Sequence, residues 1–141
     1  MGGPEYREFD HTGDLGLEIT GADLASLFRN SALALGDLLY DPSRVDPAEE
    51  IGILVRGGDT ADLLVRFLAE VLYLFDVRGF QSCGFEFPRL GETELRALAR
   101  GESIDPDRHR LRQSVKAVTY HQAEVRRTPA GAWRARVILD V

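Results

Sequence analysis

One lysine, Lys116, stands among seventeen basic residues, and all the others are arginine. An ammonium group is a compact point charge that can lose its proton when it is buried, whereas a guanidinium is a planar fork that stays charged. A chain that places arginine at its other basic positions has kept an amine here. Lys116 is therefore a candidate for a role that arginine cannot fill, although a lone lysine can also occupy a position by chance.

The carboxyl end of the chain is a second candidate site. Asp140 is the penultimate residue, so its side-chain carboxylate is held close to the terminal carboxylate of Val141. Two adjacent carboxylates repel each other unless one is protonated or a cation bridges them. Hard divalent ions such as Ca²⁺ and Mg²⁺ prefer such oxygen ligands. The sequence therefore suggests a cation site here; the alternative is an acidic chain end that points into solvent.

The run His11-Thr12-Gly13-Asp14 is the third candidate, and it supports three interpretations. Asp14 could supply a third carboxylate to the same cation. His11 and Asp14 could instead form the general-base pair of a small hydrolase, although no nucleophile or oxyanion arrangement accompanies them. The third interpretation is an Asp-Gly turn between two strands, which needs no chemistry at all.

Zinc chemistry is disfavoured by the same inventory of side chains. Cys83 is the only cysteine, which excludes an internal disulfide and a thiolate cluster, and no two histidines have ligand spacing. His109 lies in a charged loop and is expected to be solvated. His121 is expected to be a hydrogen-bonded residue of a strand, and Cys83 a small packed residue.

The elements that must position these residues follow from the spacing of the apolar side chains. Two stretches have helical periodicity, 22–40 and 60–75, and Asp59 is a suitable N-cap for the second. The second is apolar around much of its circumference, which predicts burial on more than one side. Strands are predicted at 6–10, 15–19, 51–56, 80–87, 94–100, 112–126 and 132–140, with breaks at Pro88 and Gly101 among others. We expect one α+β domain over residues 1–141, a two-layer sandwich of two helices packed on an antiparallel sheet.

The last two strands form a predicted hairpin around Pro129-Ala130-Gly131. A turn centred near Ala130 makes paired residue numbers sum to about 260, which sets Tyr120 opposite Asp140. In that register Lys116, Tyr120 and Asp140 share one face of the sheet, because side chains alternate along a strand. A slip of one residue would set His121 opposite Asp140 instead.

Composition narrows the function classes. The formal net charge is −6 and the pI about 5.1, which disfavours direct nucleic-acid binding as the main activity. The clustered arginines are more typical of solvated strand faces; they are Arg108, Arg110, Arg112, Arg126, Arg127, Arg134 and Arg136. No signal-peptide pattern and no apolar run of about 20 residues is present, so we expect a cytoplasmic protein.

Five segments, in chain order, resemble those of the archease family. His11-Thr12-Gly13-Asp14-Leu15 is similar to its H-T-A-D-I signature, and Lys116-Ala117-Val118-Thr119-Tyr120-His121 to its K-A-x-T-Y-H motif. The others are the helix from Asp59 to Leu68, the turn Gly101-Glu102, and the terminal strand Val137 to Val141. Gly13 replaces the usual alanine and is expected to loosen the loop that holds Asp14. Phe67 stands where tryptophan is common, and Val141 where isoleucine is common.

The resemblance implies a non-enzymatic accessory protein of RNA processing. Archeases promote GTP-dependent guanylylation and multiple turnover of the RtcB-type RNA ligase, which acts in tRNA splicing or RNA repair. A chaperone-like role toward a tRNA methyltransferase is the alternative that the family implies, and in either case RNA would be engaged only through a partner. The family fold is an α/β sandwich related to the strand-helix-strand-strand (SHS2) module.

The resemblance also implies a set of site residues. The divalent cation, with Ca²⁺ expected first and Mg²⁺ or Mn²⁺ as alternatives, would be held by Asp14, Asp140 and the terminal oxygens of Val141. The exchange of isoleucine for valine should not disturb these oxygens. Lys116 would support the ligase, together with the other motif residues His11, Thr119, Tyr120 and His121.

Overall fold

The computed structural model describes residues 5–11, 13–41 and 45–141, with His11 described by its backbone alone. Nine elements follow one another along the chain. They are β1 (Tyr6–His11), β2 (Asp14–Gly21), α1 (Leu24–Leu39), β3 (Glu49–Arg56), α2 (Thr60–Asp76), β4 (Phe80–Leu90), β5 (Glu94–Ser103), β6 (Ala117–Arg127) and β7 (Trp133–Asp140). Neither helix of the described residues is long and apolar enough to cross a membrane.

The strands divide between two antiparallel sheets. One sheet has the order β1-β2-β7-β6 and the other the order β3-β5-β4. Helix α1 packs on β2 of the first sheet and β4 of the second, and α2 packs on β6 of the first and on β3 and β4 of the second. The predicted α+β class, the two helices and the antiparallel pairing are confirmed. The strands divide in this way because β2 pairs with β1 and β7, whereas β3 pairs with β5.

Each helix begins at an aspartate that caps it. Asp23 and Asp59 have extended backbones, and their side chains accept hydrogen bonds from the N–H groups of Ser26 and Asp62, at 2.7 and 2.8 Å. These bonds satisfy donors that the first turn of a helix leaves without an internal partner. The N-cap predicted at Asp59 is confirmed.

Helix α2 forms the centre of the core. Its buried side chains lie around most of its circumference: Leu63, Leu64, Val65, Phe67, Leu68, Val71, Leu72 and Leu74. Phe67 is fully buried and its ring meets those of Phe28, Phe85 and Phe87 at centroid distances of 5.6 to 5.9 Å. The prediction that this helix is buried on more than one side is confirmed. Both sheets therefore depend on α2 for their packing surface.

Three predicted boundaries are wrong. Residues 112–116 are not in a strand, because β6 begins at Ala117. Gly101 lies within β5, and Pro88 lies within β4 at a register irregularity between Glu86 and Arg89. An edge strand tolerates proline there because one side of its backbone needs no donor for the sheet.

The segment from residue 104 to 116 links β5 in one sheet to β6 in the other. The Arg112 N–H donates to the Leu39 carbonyl at 2.8 Å, and the Lys116 N–H donates to the Asp140 carbonyl at 2.7 Å. These main-chain bonds attach the segment to the end of α1 and to the end of β7. They replace the strand that the sequence predicted over its last residues.

His109 anchors this segment from inside the protein. The prediction that it is solvated is wrong, since only 4% of it is exposed. Its Nδ1 accepts the Asp105 N–H at 2.8 Å, so the ring proton lies on Nε2, 3.3 Å from Glu102 Oε2. The ring packs edge-on against Tyr40. A charged loop buries a histidine here because both ring nitrogens find partners.

Glu102 is the acceptor that holds the linking segment. Its carboxylate accepts the Asp46 N–H at 2.7 Å and the Arg108 guanidinium at 2.7 Å, in addition to His109. The Asp46 N–H is the main cause that holds the pKa of Glu102 below its usual 4.5, and Arg108 adds to it. Three separate parts of the chain thus meet at one carboxylate.

We predict that Glu102→Gln removes a pH-dependent part of the stability. A carboxyl whose pKa is lowered on folding stabilises the protein above its ordinary pKa, and that contribution is lost as the pH falls through the lowered value. The variant should be less stable than the parent at pH 7, and the difference should shrink as the pH falls below about 4.5. Urea unfolding between pH 3 and pH 7 (roughly the range that spans the transition) measures both. Glu124→Gln, which changes an exposed ion pair with Arg126, is the control, and a difference independent of pH would contradict the prediction.

Candidate functional site at the chain ends

The turn between β1 and β2 positions Asp14. His11 pairs with Asp14 across it, so only Thr12 and Gly13 form the connection. Gly13 has a φ of +74°, in the region that favours glycine, and a Cβ there would meet nothing within 4 Å. The glycine therefore adopts the required conformation without strain, and the strand pairing continues up to the turn. Thr12 and the side chain of His11 lie outside the described residues. The interpretation of His11 and Asp14 as a general-base pair therefore stays a prediction.

Strand pairing brings Asp14 beside the end of the chain. Leu15 pairs with Leu139, which makes Asp14 and Asp140 the next positions along β2 and β7. Residues directly opposite in an antiparallel pair project from the same face of the sheet. Val141 follows at once and packs against the core with part of its side chain. The turn between β1 and β2 and the carboxyl end of β7 thus lie side by side in the fold.

Lys116 enters this region through its backbone. Its N–H donates to the Asp140 carbonyl, and its side chain is exposed. Ala117, the first residue of β6, pairs with Asp140. The lysine therefore lies beside Asp140, at the point where β6 joins the sheet, and β7 separates it from Asp14 on β2.

The predicted register at this end of the hairpin is wrong. Near the turn Glu124 pairs with Arg136, which is the expected sum of 260, but beyond it Thr119 pairs with Ile138 and Ala117 with Asp140, a sum of 257. Residues 120–123 of β6 lie opposite Val137 alone. This bulge moves both Tyr120 and His121 away from the position opposite Asp140. Lys116, Tyr120 and Asp140 do not share the arrangement that a regular hairpin would give.

Thr119 holds the bulge in place. Its hydroxyl donates to the Ile138 carbonyl at 2.9 Å and accepts the His121 N–H at 3.2 Å. Within the bulge Gln122 has a φ of 55°, a left-handed conformation that is uncommon for residues other than glycine. One hydroxyl thus joins β7 to the bulged strand, and His121 remains exposed.

Tyr120 contacts helix α2 and not the chain ends. Its hydroxyl hydrogen-bonds the Asp62 carboxylate, which also accepts the Gly58 N–H at 2.7 Å and the Arg66 guanidinium at 3.0 Å. The Gly58 bond is the main cause that lowers the pKa of Asp62, followed by Arg66 and Tyr120. Burial and then the bond to Asp62 raise the pKa of Tyr120 above 10. The motif tyrosine therefore tethers the bulge to the start of α2.

Side chains alone supply only some of the oxygen ligands that a hard cation would need at the chain ends. Within residues 5–10, 13–41 and 45–141, no three His, Cys, Asp or Glu side chains are grouped as a metal site. The predicted site has two such side chains, Asp14 and Asp140, and would need its third ligand from the terminal oxygens of Val141. An oxygen-only set of this kind suits Ca²⁺, Mg²⁺ or Mn²⁺ and not zinc.

Sequence reasoning missed two groups of residues that shape the site. Asp62 and Arg66, which hold Tyr120, lie at the start of α2, and the available signal was the run Asp59-Thr60-Ala61-Asp62 next to the capping aspartate. Glu102 and His109, which fix the segment before Lys116, lie seven residues apart. In the sequence, the only indication of this pair was a histidine in a charged segment. That His109 is buried is shown only by the fold.

The sequence matches one protein family over nearly its whole length. The model of the Archease protein family (MTH1598/TM1083) matches residues 6–141. This chain belongs to the archease family. The archease of Pyrococcus furiosus is 36% identical over 140 residues, covering 97% of this chain and 99% of the relative. That of Methanopyrus kandleri is 37% identical over 139 residues, covering 96% and 99%.

Solved structures agree with this archease fold. The solution structure of a Methanobacterium thermoautotrophicum protein has a TM-score of 0.81 and 34% identity, and the match covers 96% of this chain and 98% of that one. The crystal structure of a Thermotoga maritima archease has a TM-score of 0.64 at 20% identity, covering 96% of each chain, and shows likeness of fold.

We predict that Gly13→Ala destabilises this archease by about 1 kcal/mol, because alanine must adopt a positive φ in the turn. The measurement is the free energy of unfolding in urea. Gly91→Ala is the matched control: it lies in another turn, without a positive φ, and its Cβ would meet only the Glu94 carbonyl at 3.8 Å. Equal effects of the two substitutions would contradict the proposed conformation.

We predict that Thr119→Val destabilises the protein by about 1–2 kcal/mol, since it leaves the His121 N–H and the Ile138 carbonyl without their common partner. Amide exchange should rise at His121 and across the bulge. Thr20→Val, which removes an exposed bond to Glu5, should cost no more than about 0.5 kcal/mol. Unchanged exchange in the bulge of Thr119→Val would show that the hydroxyl does not hold it.

Proposed function

We propose that this chain is a non-enzymatic accessory protein that promotes guanylylation and turnover of an RtcB-type RNA ligase in tRNA splicing or RNA repair. The observation that carries the proposal is the meeting of Asp14, Asp140 and Val141 at one end of a sheet, next to Lys116. Family membership supports the same role, because the match to the archease family covers residues 6–141 and so includes all four positions.

The chemistry of the chain ends suits phosphate-bearing reactants. A bound divalent cation would supply positive charge, which lowers the cost of gathering phosphate oxygens in one place. Asp14, Asp140 and the terminal carboxylate would hold the ion, with Ca²⁺ as the first expectation. The Lys116 ammonium lies on a flexible stem and can approach a phosphate as a point charge. Arginine at this position would present a broader, planar group.

Negative charge also shapes how the protein would act on RNA. With a net charge of −6 the surface does not favour the phosphate backbone, because nonspecific binding depends on cations that release counterions. Many arginines are already engaged by acids, as Arg7 and Arg136 are by Glu18. An effect on RNA therefore runs through a partner protein in this proposal.

We predict that Asp140→Asn and Lys116→Arg each reduce stimulation of ligase guanylylation by at least about tenfold, a loss in the range that altered metal surroundings produce. Asp140→Asn removes charge at the cation site with little change of shape. Lys116→Arg keeps the charge and removes the amine. Guanylylation is measured as labelled GMP attached to the ligase at limiting accessory protein.

Asp76→Asn and Arg96→Lys are the controls for these two variants, since both residues are exposed and lie outside the chain-end cluster. Calorimetric titration with Ca²⁺ should detect binding to the parent and to the controls, with weaker binding to Asp140→Asn. Full stimulation by both Asp140→Asn and Lys116→Arg would overturn the proposal.

A chaperone-like role toward a tRNA methyltransferase is the second candidate. The Thermotoga maritima archease is described as a possible chaperone. Such a role would depend on a binding surface and not on the cation. Suppression of methyltransferase aggregation that withstands a chelator and Lys116→Ala would favour this candidate over the ligase role.

A further inference from the structure

The outer edge of β3 is a surface that the proposed function does not use. Among the strands of residues 5–11, 13–41 and 45–141, β3 pairs with β5 on one side only. An edge strand of this kind is a template on which another strand can form main-chain hydrogen bonds. Its sequence decides which strand it would accept.

The direction of the main-chain groups follows from the pairing with β5. The Gly57 N–H, one residue beyond β3, donates to the Thr93 carbonyl at 2.9 Å, in register with the β3–β5 pairs. Backbone groups of alternate residues point to the same side of a strand. The odd-numbered residues of β3 therefore face β5. The even-numbered residues direct their N–H and C=O groups to the outer edge: Glu50, Gly52, Leu54 and Arg56.

All four of these residues are exposed, as is Glu49 at the start of the strand. Leu54 is 56% exposed, which is high for a large apolar side chain in a strand. Gly52, two residues earlier, leaves open space, since a Cβ there would meet nothing within 4 Å. Glu50 and Arg56 lie at equal distances on either side of Ile53. The edge thus has a protruding side chain at Leu54, open space at Gly52, and opposite charges at Glu50 and Arg56.

We propose that a second copy of this chain adds to the sheet here, with β3 paired antiparallel to β3 across a twofold axis at Ile53. In that register Leu54 of each copy lies over Gly52 of the other, and Glu50 of each lies opposite Arg56 of the other. Every outward main-chain group of the four residues gains a hydrogen-bond partner. The interface is isologous, because one patch complements itself.

The charge pattern selects this register and this occupant. An axis at Gly52 would set Glu50 opposite Leu54 and leave Arg56 without an acidic partner. In the single chain Glu50 pairs with Arg100 at 3.2 Å and Arg56 with Glu94 at 2.8 Å, between side chains that are 31% to 77% exposed. Exposed pairs of this kind are weak, so these charges can be shared with a second copy.

Helix α2 adds apolar surface next to the same edge. Tyr73 is 50% exposed and lines a groove with Leu54 and Glu70. A second β3 strand would cover this groove from the side. The two three-stranded sheets would then join into one continuous sheet, and the chain ends, which belong to the other sheet, would stay accessible.

Sedimentation velocity over a series of micromolar concentrations tests the proposal on the full chain. We expect a reversible equilibrium between monomer and dimer. Leu54→Asp should weaken dimerisation by at least about tenfold, as loss of a central apolar contact does. Leu111→Asp is the matched control, because Leu111 is 52% exposed in the linking segment, and it should leave the equilibrium unchanged. A parent that stays monomeric at all concentrations overturns the proposal.

Charge reversal tests the register. Glu50→Arg and Arg56→Glu should each weaken the dimer, and the double variant should restore it. The bonds to Arg100 and Glu94 are lost in the double variant as well, so restoration cannot come from them. Amide exchange should show concentration-dependent protection at Gly52, Leu54 and Arg56. A double variant as weak as the singles, or a dimer unaffected by Leu54→Asp, overturns the pairing.

Discussion

The pairing of β2 with β7 is the interaction on which the site depends. It runs from Gly21–Trp133 to Leu15–Leu139 and joins the beginning of the chain to its end. Leu17 with its partner Val137, and Ile19 with its partner Ala135, are buried, so the pairing is stabilised by the core as well as by hydrogen bonds. A slip of one residue would turn these side chains toward solvent. The same constraint that buries them brings Asp14 next to Asp140.

The path of the chain before Lys116 is fixed by polar groups and not by a strand. Glu102, His109 and Arg108 form one cluster with the Asp46 N–H. Glu102 and His109 are buried, and their polar atoms are satisfied within the cluster. A partly satisfied cluster at this depth would cost more than an apolar one. The cluster thus holds the linking segment on one side, while the bond from Lys116 to Asp140 holds it on the other. Between these two anchors the lysine side chain remains exposed.

Two parts of the K-A-x-T-Y-H segment have separate physical tasks. Thr119 joins the bulge to β7, and Tyr120 joins it to Asp62 and Arg66 on α2. Lys116 lies before the bulge, beside Asp140. The segment therefore connects the chain ends with the first turn of the central helix. Thr119 and Tyr120 thus position the strand at the edge of the sheet, and Lys116 supplies the amine of the predicted site.

The sequence by itself determined the elements and the family. Apolar periodicity and the Asp59 cap located both helices, and the motifs around Asp14, Lys116 and Asp140 identified the archease family, because local spacing and residue type carry that information. The tertiary structure decided where β6 meets β7. The bulge adds residues to β6 and is held by bonds from Thr119 to Ile138 and from Tyr120 to Asp62 on α2. Counting residues outward from the turn assumes a regular pair of strands, and it cannot include a contact with a helix elsewhere in the chain. His109 is buried for the same reason, since its partners Glu102 and Tyr40 meet it only in the folded chain.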